Sequence, residues 1–264
     1  MITCSSIGYN GRLANQMFQF ASTVGIARKL GYDPKFPLEN FTQGNPHDYN
    51  GGKLRECFDI PEEYFISRND ISGRILYEYN ETSFKYNQET ELLPDNVNLK
   101  GYFQSELYFK DSEGEIRNLF KFREGKTDPS LISHRSTCVH VRRGDYVSSP
   151  NHHPVQSREY YLRAMNQIGE GTFYVFSDDL QWCKDNIQFS DMDIVFIDIE
   201  DPYVSLNLMT QCSNHVIANS SLSWWAAWLG KKEGQKVFSP SNWFGPALSH
   251  NDTSDLYCKE WYKI

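Results

Sequence analysis

The sequence predicts an α/β protein whose second half is a parallel β-sheet with helices on both faces. The first observation is that apolar, β-prone runs recur through this half, as TCVHV, TFYVF, IVFIDI, HVIA and KVFS. The second is that helix-like segments separate the later runs, as DLQWCKDNI, DPYVSLNLMTQC and LSWWAAWLG. Strands that alternate with helices at this spacing form βαβ units, which build parallel sheets covered on both sides.

The first half is less regular. A short strand, ITCSSI, precedes a helix over Leu13–Leu30, where apolar residues recur at helical spacing until Gly31 ends it. RILYEY and NVNLKGYF are further candidate strands, and residues 106–122 a candidate helix. The charged, glycine-containing REGKTDPS predicts a domain boundary. We therefore expect domains at 1–125 and 130–264, with the last ~20 residues able to pack back on the first domain.

Composition and charge exclude several classes of protein. A formal net charge of −8 argues against a nucleic-acid-binding protein, which carries a basic face. No uninterrupted apolar run approaches the ~20 residues that span a bilayer, and the N-terminal residues lack the pattern of a signal peptide. The six cysteines are scattered without a C-x-x-C pair, as is typical of reduced, buried thiols. We expect a cytoplasmic protein.

Polar residues follow three of the predicted strands. Arg142, Arg143, Gly144 and Asp145 follow the first, Ser177, Asp178 and Asp179 follow the second, and Asn219, Ser220 and Ser221 follow the fourth. Ligands of such sheets bind beyond the carboxyl ends of the strands. A guanidinium group suits phosphate oxygens, and a helix N-terminus offers free N–H groups and the positive end of its dipole. With an aspartate to accept from guanine N1–H and N2–H₂, these types outline a nucleoside-diphosphate pocket.

Each of these residues also has a structural interpretation. Asp178, Asp179, Ser220 and Ser221 are all suitable helix caps, Arg142 could form a surface salt bridge, and His140 could be a core histidine. Arg143-Gly144-Asp145 spells an adhesion tripeptide, but three residues recur by chance. Asp191-Met-Asp193 precedes its strand, which disfavours a metal–nucleotide role, and His152 and His153 lack the partners of a zinc site. No G-x-x-x-x-G-K-[ST] loop is present, so kinase and nucleotide-hydrolase functions are disfavoured.

Five segments resemble the α1,2-fucosyltransferases closely. They are GRLANQMFQFA (residues 11–21), GYFQSELYF (101–109), HVRRGDY (140–146), FYVFSDDLQWCK (173–184) and ANSSLSWWAAWL (218–229). The basic motif alone is also similar to α1,6- and protein O-fucosyltransferases. The Trp224-Trp225 segment and the run from Asn15 to Phe18 favour the α1,2 group.

The resemblance implies a GT-B-like architecture, with two Rossmann-type domains facing across a cleft, and an inverting, metal-independent transferase that needs no cofactor. GDP-β-L-fucose would be the donor, bound by the second domain, and a terminal galactose 2-hydroxyl the acceptor. The residues it implies for donor binding are His140, Arg142, Arg143, Ser177, Asp178, Asn219, Ser220 and Ser221. Arg142, Asp145 and Asn15 are implied as catalytic, and Gly11, Arg12, Asn15 and Gln16 for the fucose or acceptor side.

Three points stay open at this level. The general base is unassigned, because an aspartate beside two arginines, as Asp145 is, should have a lowered pKa and be a poor base. Ala14 stands where the family often has glycine, and an alanine would be strained if that position needs a positive φ. Leu222 and Ala226 also depart from the family pattern. The alternatives are a fucosyltransferase of another linkage, an enzyme using another GDP-sugar, and a non-catalytic carbohydrate-binding protein.

Overall fold

The computed structural model describes residues 1–42, 53–124, 132–133 and 135–264 of the chain. These form two compact units, residues 1–123 with 252–257, and residues 124–251 with 258–264. The ends of the predicted domains, 125 and 130, lie outside the described residues, so that boundary stays a prediction.

The first unit is built around a small parallel sheet and one long helix. The sheet has the strand order β1-β5-β4, and a second, two-stranded parallel sheet pairs β2 with β3. Its strands are β1 (Ile2–Thr3), β2 (Phe36–Pro37), β3 (Phe65–Ile66), β4 (Tyr77–Asn80) and β5 (Val97–Lys100). Its helices are α1 (Leu13–Leu30), α2 (Glu39–Thr42), α3 (Lys53–Cys57), α4 (Arg68–Ser72) and α5 (Glu113–Leu119), with 3₁₀ helices at Glu62–Tyr64, Gln88–Leu92, Glu106–Tyr108 and Lys110–Ser112.

Helix α1 forms the core of this unit and has the predicted bounds. It is buried along most of its length, because β1, α3 and the 3₁₀ helices at Gln88–Leu92, Glu106–Tyr108 and Lys110–Ser112 pack around it. Phe20 stacks on Phe36 with ring centroids 4.2 Å apart. Gly31 ends the helix in the left-handed conformation, φ 73°, and its N–H bonds to the carbonyls of Ala27 and Arg28.

The predicted helix over residues 106–122 is wrong as a single element. The structure has two 3₁₀ turns followed by the seven-residue α5. The reason is the close approach of this segment to α1. A Cβ added at Gly25 would lie 2.3 Å from the Tyr108 carbonyl oxygen and 2.4 Å from Phe109 Cα, so backbone packs directly on backbone there. At this contact Phe109, which lies between the two turns, has φ −132° and interrupts the helical geometry.

The second unit contains the predicted parallel sheet, with six strands. They are β6 (Ser136–Val141), β7 (Thr172–Ser177), β8 (Asp193–Ile197), β9 (Asn214–Val216), β10 (Val237–Ser239) and β11 (Tyr262–Lys263). All neighbours pair in parallel, in the order β11-β10-β9-β6-β7-β8. Counted from β6, this is the order 3-2-1-4-5-6 of a Rossmann sheet. Five of the strands are the five predicted runs, and β11 was not predicted.

Helices cover both faces of this sheet. They are α6 (Gly144–Val147), α7 (Arg158–Ile168), α8 (Leu180–Asn186), α9 (Pro202–Gln211) and α10 (Ser221–Leu229), and a 3₁₀ helix lies at Pro246–Leu248. Val139 and Val141 of β6 pack on one face with side chains of α7 and α8. The alternate residues face the other way, where His215 bonds to the Met209 carbonyl of α9. Helices α6 and α7 were not predicted.

Two expectations about composition can be compared with the structure. All six cysteines are buried and none forms a disulfide, as the sequence suggested. Among the helices of the described ranges, none is both long and apolar enough to cross a membrane.

Candidate functional site

The three strands followed by polar residues are neighbours in the sheet. β6 lies between β7 and β9 and pairs with both. The boundary between β6 and β9 is also where the strand order reverses, because the chain leaves β6 to one side and returns to the other. In sheets of this order the crevice at the carboxyl ends of these two strands is where ligands bind. The polar residues that the sequence identified therefore converge on this edge.

Arg142 stands at the centre of the cluster. Its Nη1 lies 2.8 Å from Asp178 Oδ2, and its Nη2 contacts Asp145 Oδ1. The guanidinium carbon lies 5.3 Å from the centroid of the Tyr146 ring. The side chain is one-fifth exposed. Two carboxylates and an aromatic face thus fix the orientation of the guanidinium while leaving part of it open.

The Arg143 side chain contacts a different set of residues from Arg142. Its Nε donates to Asp179 Oδ2 across 2.9 Å, and its guanidinium lies 4.1 Å from the Trp182 ring. Asp179 also caps α8, since its Oδ1 accepts the Trp182 N–H at 3.2 Å. The Arg143 guanidinium holds the pKa of Asp179 below its usual range. Asp145 therefore holds Arg142, whereas Asp179 holds Arg143.

Asp178 connects the two arginines. Besides binding Arg142, it accepts the backbone N–H of Arg143 at 2.8 Å. A Cβ added at Gly144 would lie 2.4 Å from Asp178 Oδ2, so only glycine fits there without moving the carboxylate. This explains the glycine of the Arg-Arg-Gly-Asp run by packing, without an adhesion role.

Tyr146 joins the end of β6 to the end of β9. Its hydroxyl donates to the Asn219 carbonyl across 3.1 Å. Its ring stacks on His153, with centroids 4.8 Å apart and an angle of 18°. We did not predict a role for Tyr146. The only signal in the sequence was its position in the basic motif, which does not indicate what the ring or hydroxyl contacts.

The third strand end consists of Asn219 and the two serines that begin α10. The Asn219 side chain is buried, and its amide nitrogen donates to the carbonyls of Pro154 and Trp243, each at 3.0 Å. Ser220 occupies the N-cap of α10 without a side-chain capping bond, and Ser220 and Ser221 are partly exposed. Asn219 thus tethers two loops, and the start of α10 presents its serines and first-turn backbone.

His140 lies in β6, two residues before Arg142, and is 5% exposed. Burial lowers its pKa to about 3, and the Arg142 charge adds to the effect. Its Nδ1 has no hydrogen-bond partner in the described part of the chain. The ring is therefore neutral at ordinary pH.

Ser177 ends β7, and its hydroxyl accepts the Asp179 N–H at 2.9 Å.

The charges of this cluster nearly cancel. Arg142 and Arg143 meet three carboxylates, those of Asp145, Asp178 and Asp179. Asp145 is the most exposed of the three, at 52%, and the carboxylates of Asp178 and Asp179 also accept backbone N–H groups. An incoming anion can replace Asp145 on Arg142 and gain the N-terminal dipole of α10. The arrangement can thus hold an anion and stabilise negative charge that develops on it.

The residues expected on the acceptor side form a separate group in the first unit. Gly11 has φ 79°, and a Cβ there would lie 2.6 Å from Asn15 Cβ. Asn15 Oδ1 accepts from Gln104 Nε2 at 3.0 Å. The buried Gln16 donates to the Gly11 carbonyl at 3.2 Å, and Arg12 is the N-cap residue of α1. Ala14 lies inside α1 at negative φ and causes no strain.

Glu81 lies beside this group and was not identified from the sequence. It follows β4 and accepts the backbone N–H groups of Tyr102, at 2.8 Å, and Phe103, at 2.9 Å. Burial raises the pKa of Glu81 to about 7, although the two N–H groups oppose the shift. The sequence carries no signal for it, because a single glutamate in a polar stretch is ordinary.

Within residues 1–42, 53–124, 132–133 and 135–264, no three His, Cys, Asp or Glu side chains lie together as a ligand set. The Asp191-Met-Asp193 pair is used otherwise, since Asp193 Oδ2 accepts the Thr172 hydroxyl at 2.7 Å.

Comparison with known proteins identifies the class of this molecule. In a Rossmann sheet, ligands bind at the switch point, where this chain carries its charged cluster. Residues 2–264 match the glycosyl transferase family 11, and the chain belongs to that family. It is therefore a glycosyltransferase.

Individual proteins are also similar. An α-1,2-colitosyltransferase from Escherichia coli is 28% identical, with 89% of this chain and 90% of that protein covered. The galactoside α-(1,2)-fucosyltransferase 1 of Mus musculus is 26% identical, with 83% of this chain and 61% of that protein covered. The crystal structure of apo POFUT1 superposes with a TM-score of 0.52 at 12% identity, covering 90% of this chain and 97% of that one.

These comparisons confirm two expectations. The resemblance to the α1,2-fucosyltransferases is confirmed by the family match and by the relatives. The α/β fold of GT-B type is confirmed by the structural likeness and by the parallel sheet of the second unit.

Proposed function

We propose that this glycosyltransferase moves L-fucose from GDP-β-L-fucose to the 2-hydroxyl of a terminal β-galactoside, with inversion and without a metal ion. The observation that carries the donor part is the pairing of β6 with β9, which brings Arg142 and the start of α10 to one edge of the sheet. The 1,2 linkage rests on the names of the relatives, which share it.

In this proposal the residues of the second unit bind GDP. Arg142, with Ser220, Ser221 and the first turn of α10, holds the diphosphate and stabilises the charge that builds on it as the sugar leaves. Asp178 accepts hydrogen bonds from guanine N1–H and N2–H₂, through the carboxylate lone pairs that Arg142 and the Arg143 N–H do not use. His140 packs beside the guanine as a neutral ring. Arg143 and Ser177 hold Asp178 and Asp179 in place through their hydrogen bonds. Asp145 stays ion-paired with Arg142 until the diphosphate of the donor replaces it.

Metal independence is part of the proposal. A transferase must neutralise the departing diphosphate, and a fixed guanidinium together with helix N–H groups can do so without a divalent cation. Residues Gly11, Arg12, Asn15 and Gln16 are proposed for the acceptor or the fucose. The cytoplasmic location expected from the sequence stays a prediction.

The test is a transfer assay in EDTA with radiolabelled GDP-fucose and a set of β-galactosides. The expected product carries fucose on the galactose 2-hydroxyl in α linkage, as determined by NMR. Transfer to another position would contradict the linkage, and transfer that requires added Mg²⁺ or Mn²⁺ would contradict metal independence.

A second donor is favoured by one specific observation. The E. coli relative is named a colitosyltransferase, and its match covers a larger share of both proteins than the mouse fucosyltransferase match does. The same assay with a GDP-linked colitosyl donor decides between the two sugars. A higher kcat/KM for that donor would replace fucose in the proposal and leave the GDP site unchanged.

A further inference from the structure

We propose that Glu81 accepts the proton of the acceptor hydroxyl, and this inference rests on the proposed function. In the transfer step, the hydroxyl oxygen forms a bond to the anomeric carbon. The bond from that carbon to the phosphate oxygen breaks, and its electron pair leaves with GDP. The hydroxyl proton must go to a base, and the carboxylate of Glu81 would take it.

The position of Glu81 is the first argument. It comes directly after β4, at the carboxyl edge of the parallel sheet of the first unit. The segment after β5 lies against it, since Tyr102 and Phe103 both donate to its carboxylate. The same segment carries Gln104, which bonds to Asn15. Glu81 therefore lies among the residues expected on the acceptor side.

The approach of the chain to Glu81 is unusually close. Gly101 has φ 157°, and an added Cβ would lie 2.4 Å from Glu81 Cβ and 2.5 Å from its Oε2. Phe103 has φ 52°, a left-handed conformation that is costly for a bulky residue. Backbone of this kind is common at functional sites, where the surrounding structure maintains it. Here it aims two N–H groups at one carboxylate and fixes its orientation.

Among the residues that the structure describes, no cation acts on Glu81 to suppress its basicity. The titratable groups that face it, in the described part of the chain, are Cys4 after β1, Tyr79 of β4, Tyr102 after β5 and Tyr108. Burial raises the pKa of each, so all four are neutral near pH 7. The raised pKa of Glu81 itself suits a base that must work at neutral pH.

The other carboxylates near the site residues are less suitable. Asp145, the candidate from the sequence, binds Arg142, and Asp178 and Asp179 are ion-paired as well. In β4, which ends just before Glu81, Glu78 pairs with Lys100 at 2.7 Å. In each of these pairs a cation is already bound to the carboxylate, whereas the Glu81 carboxylate is held by two backbone N–H groups.

The experiment measures kcat and KM for the acceptor, as a function of pH, in the wild type, Glu81→Gln and the matched control Glu78→Gln. In the wild type, kcat/KM should rise with pH and level off above about 7, following the pKa of Glu81. Glu81→Gln should lose this rise and lower kcat by roughly 100-fold or more. GDP affinity and the acceptor KM should stay within about threefold of the wild type. Glu78→Gln should keep the wild-type profile.

Three results would overturn the inference. They are a Glu81→Gln enzyme that keeps the pH rise, one whose defect lies in KM alone, and a wild type with no titration near neutral pH. The last result decides the question even if Glu81→Gln does not fold. A wild type that transfers no fucose would instead contradict the proposed function, so the two failures are distinguishable.

Discussion

The Tyr146 hydroxyl donates to the Asn219 carbonyl across 3.1 Å, and this bond connects the residues that follow β6 to those that follow β9. The ring of the same tyrosine lies against the Arg142 guanidinium, 5.3 Å from its carbon to the ring centroid. One side chain thus sets the position of the arginine relative to the helix that begins at Ser221. The proposed diphosphate site has two sources of positive potential, the Arg142 guanidinium and the N-terminus of α10, and Tyr146 holds both in position.

Tyr146→Phe should weaken GDP binding about fivefold, because one hydrogen bond is worth roughly 1 kcal/mol and the ring is kept. Tyr146→Leu should weaken it further, since the contacts with Arg142 and His153 are lost too. Calorimetric titration with GDP measures both. Tyr174→Phe is the matched control, because its hydroxyl bonds to the Ser133 N–H, away from the three strand ends. Equal affinities for Tyr146→Leu and the wild type would show that the ring does not position Arg142.

Gly144→Ala should lower GDP affinity roughly tenfold, or ~1.4 kcal/mol. The new methyl would lie 2.4 Å from Asp178 Oδ2, so this carboxylate must move and release Arg142 or the Arg143 N–H. Gly114→Ala is the control, because an added Cβ meets nothing within 4 Å and alanine favours helix α5. Unchanged GDP affinity in Gly144→Ala would contradict the positioning role of Asp178.

His140 should make the protein sensitive to acid. Burial depresses its pKa to about 3 in the folded state, whereas the unfolded value is about 6.5. Because the folded pKa is the lower one, this contribution to stability is present above pH 6.5 and is lost as the pH falls towards 3. Between pH 8 and pH 5 the loss is about 2 kcal/mol. His140→Phe removes the group and keeps the volume.

Urea unfolding of the wild type and of His140→Phe at pH 8 and pH 5 checks this prediction. The free energy of unfolding should fall more steeply for the wild type, by the stated amount. Buried His215 also has its pKa lowered by burial, but it is present in both proteins and cancels. Parallel pH dependences would mean that His140 is not buried as a neutral ring.

The sequence predicted the second unit better than the first, and the reason is physical. Strands buried on both faces, such as β6 and β10, read as apolar runs, and the more exposed edge strand β8 is still an apolar run. Each of the five predicted runs formed a strand. Polar residues at the ends of parallel strands must share one edge, so the convergence of Arg142, Asp178 and Ser220 could be expected. Strand β11 is only two residues long, too short to show the alternation of apolar and polar residues that marks a strand.

The rest depends on contacts between distant parts of the chain. The 106–122 segment has helical character, but backbone packing at Gly25 breaks it into turns. Asn219 was expected among the donor-binding residues, and only the structure shows that its amide nitrogen bonds to the carbonyls of Pro154 and Trp243. The environment of Glu81 is created by residues about twenty positions away, which no local pattern encodes.

The central claim is that the charged edge between β6 and β9 binds the diphosphate of GDP through Arg142. The most direct test is calorimetric titration of GDP in EDTA into the wild type, Arg142→Ala and the control Arg158→Ala, whose arginine lies over Phe189 instead. We predict a Kd on the order of 10 µM for the wild type and the control, and at least roughly a 100-fold loss in Arg142→Ala. No binding of GDP to the wild type, or undiminished binding to Arg142→Ala, would contradict the claim.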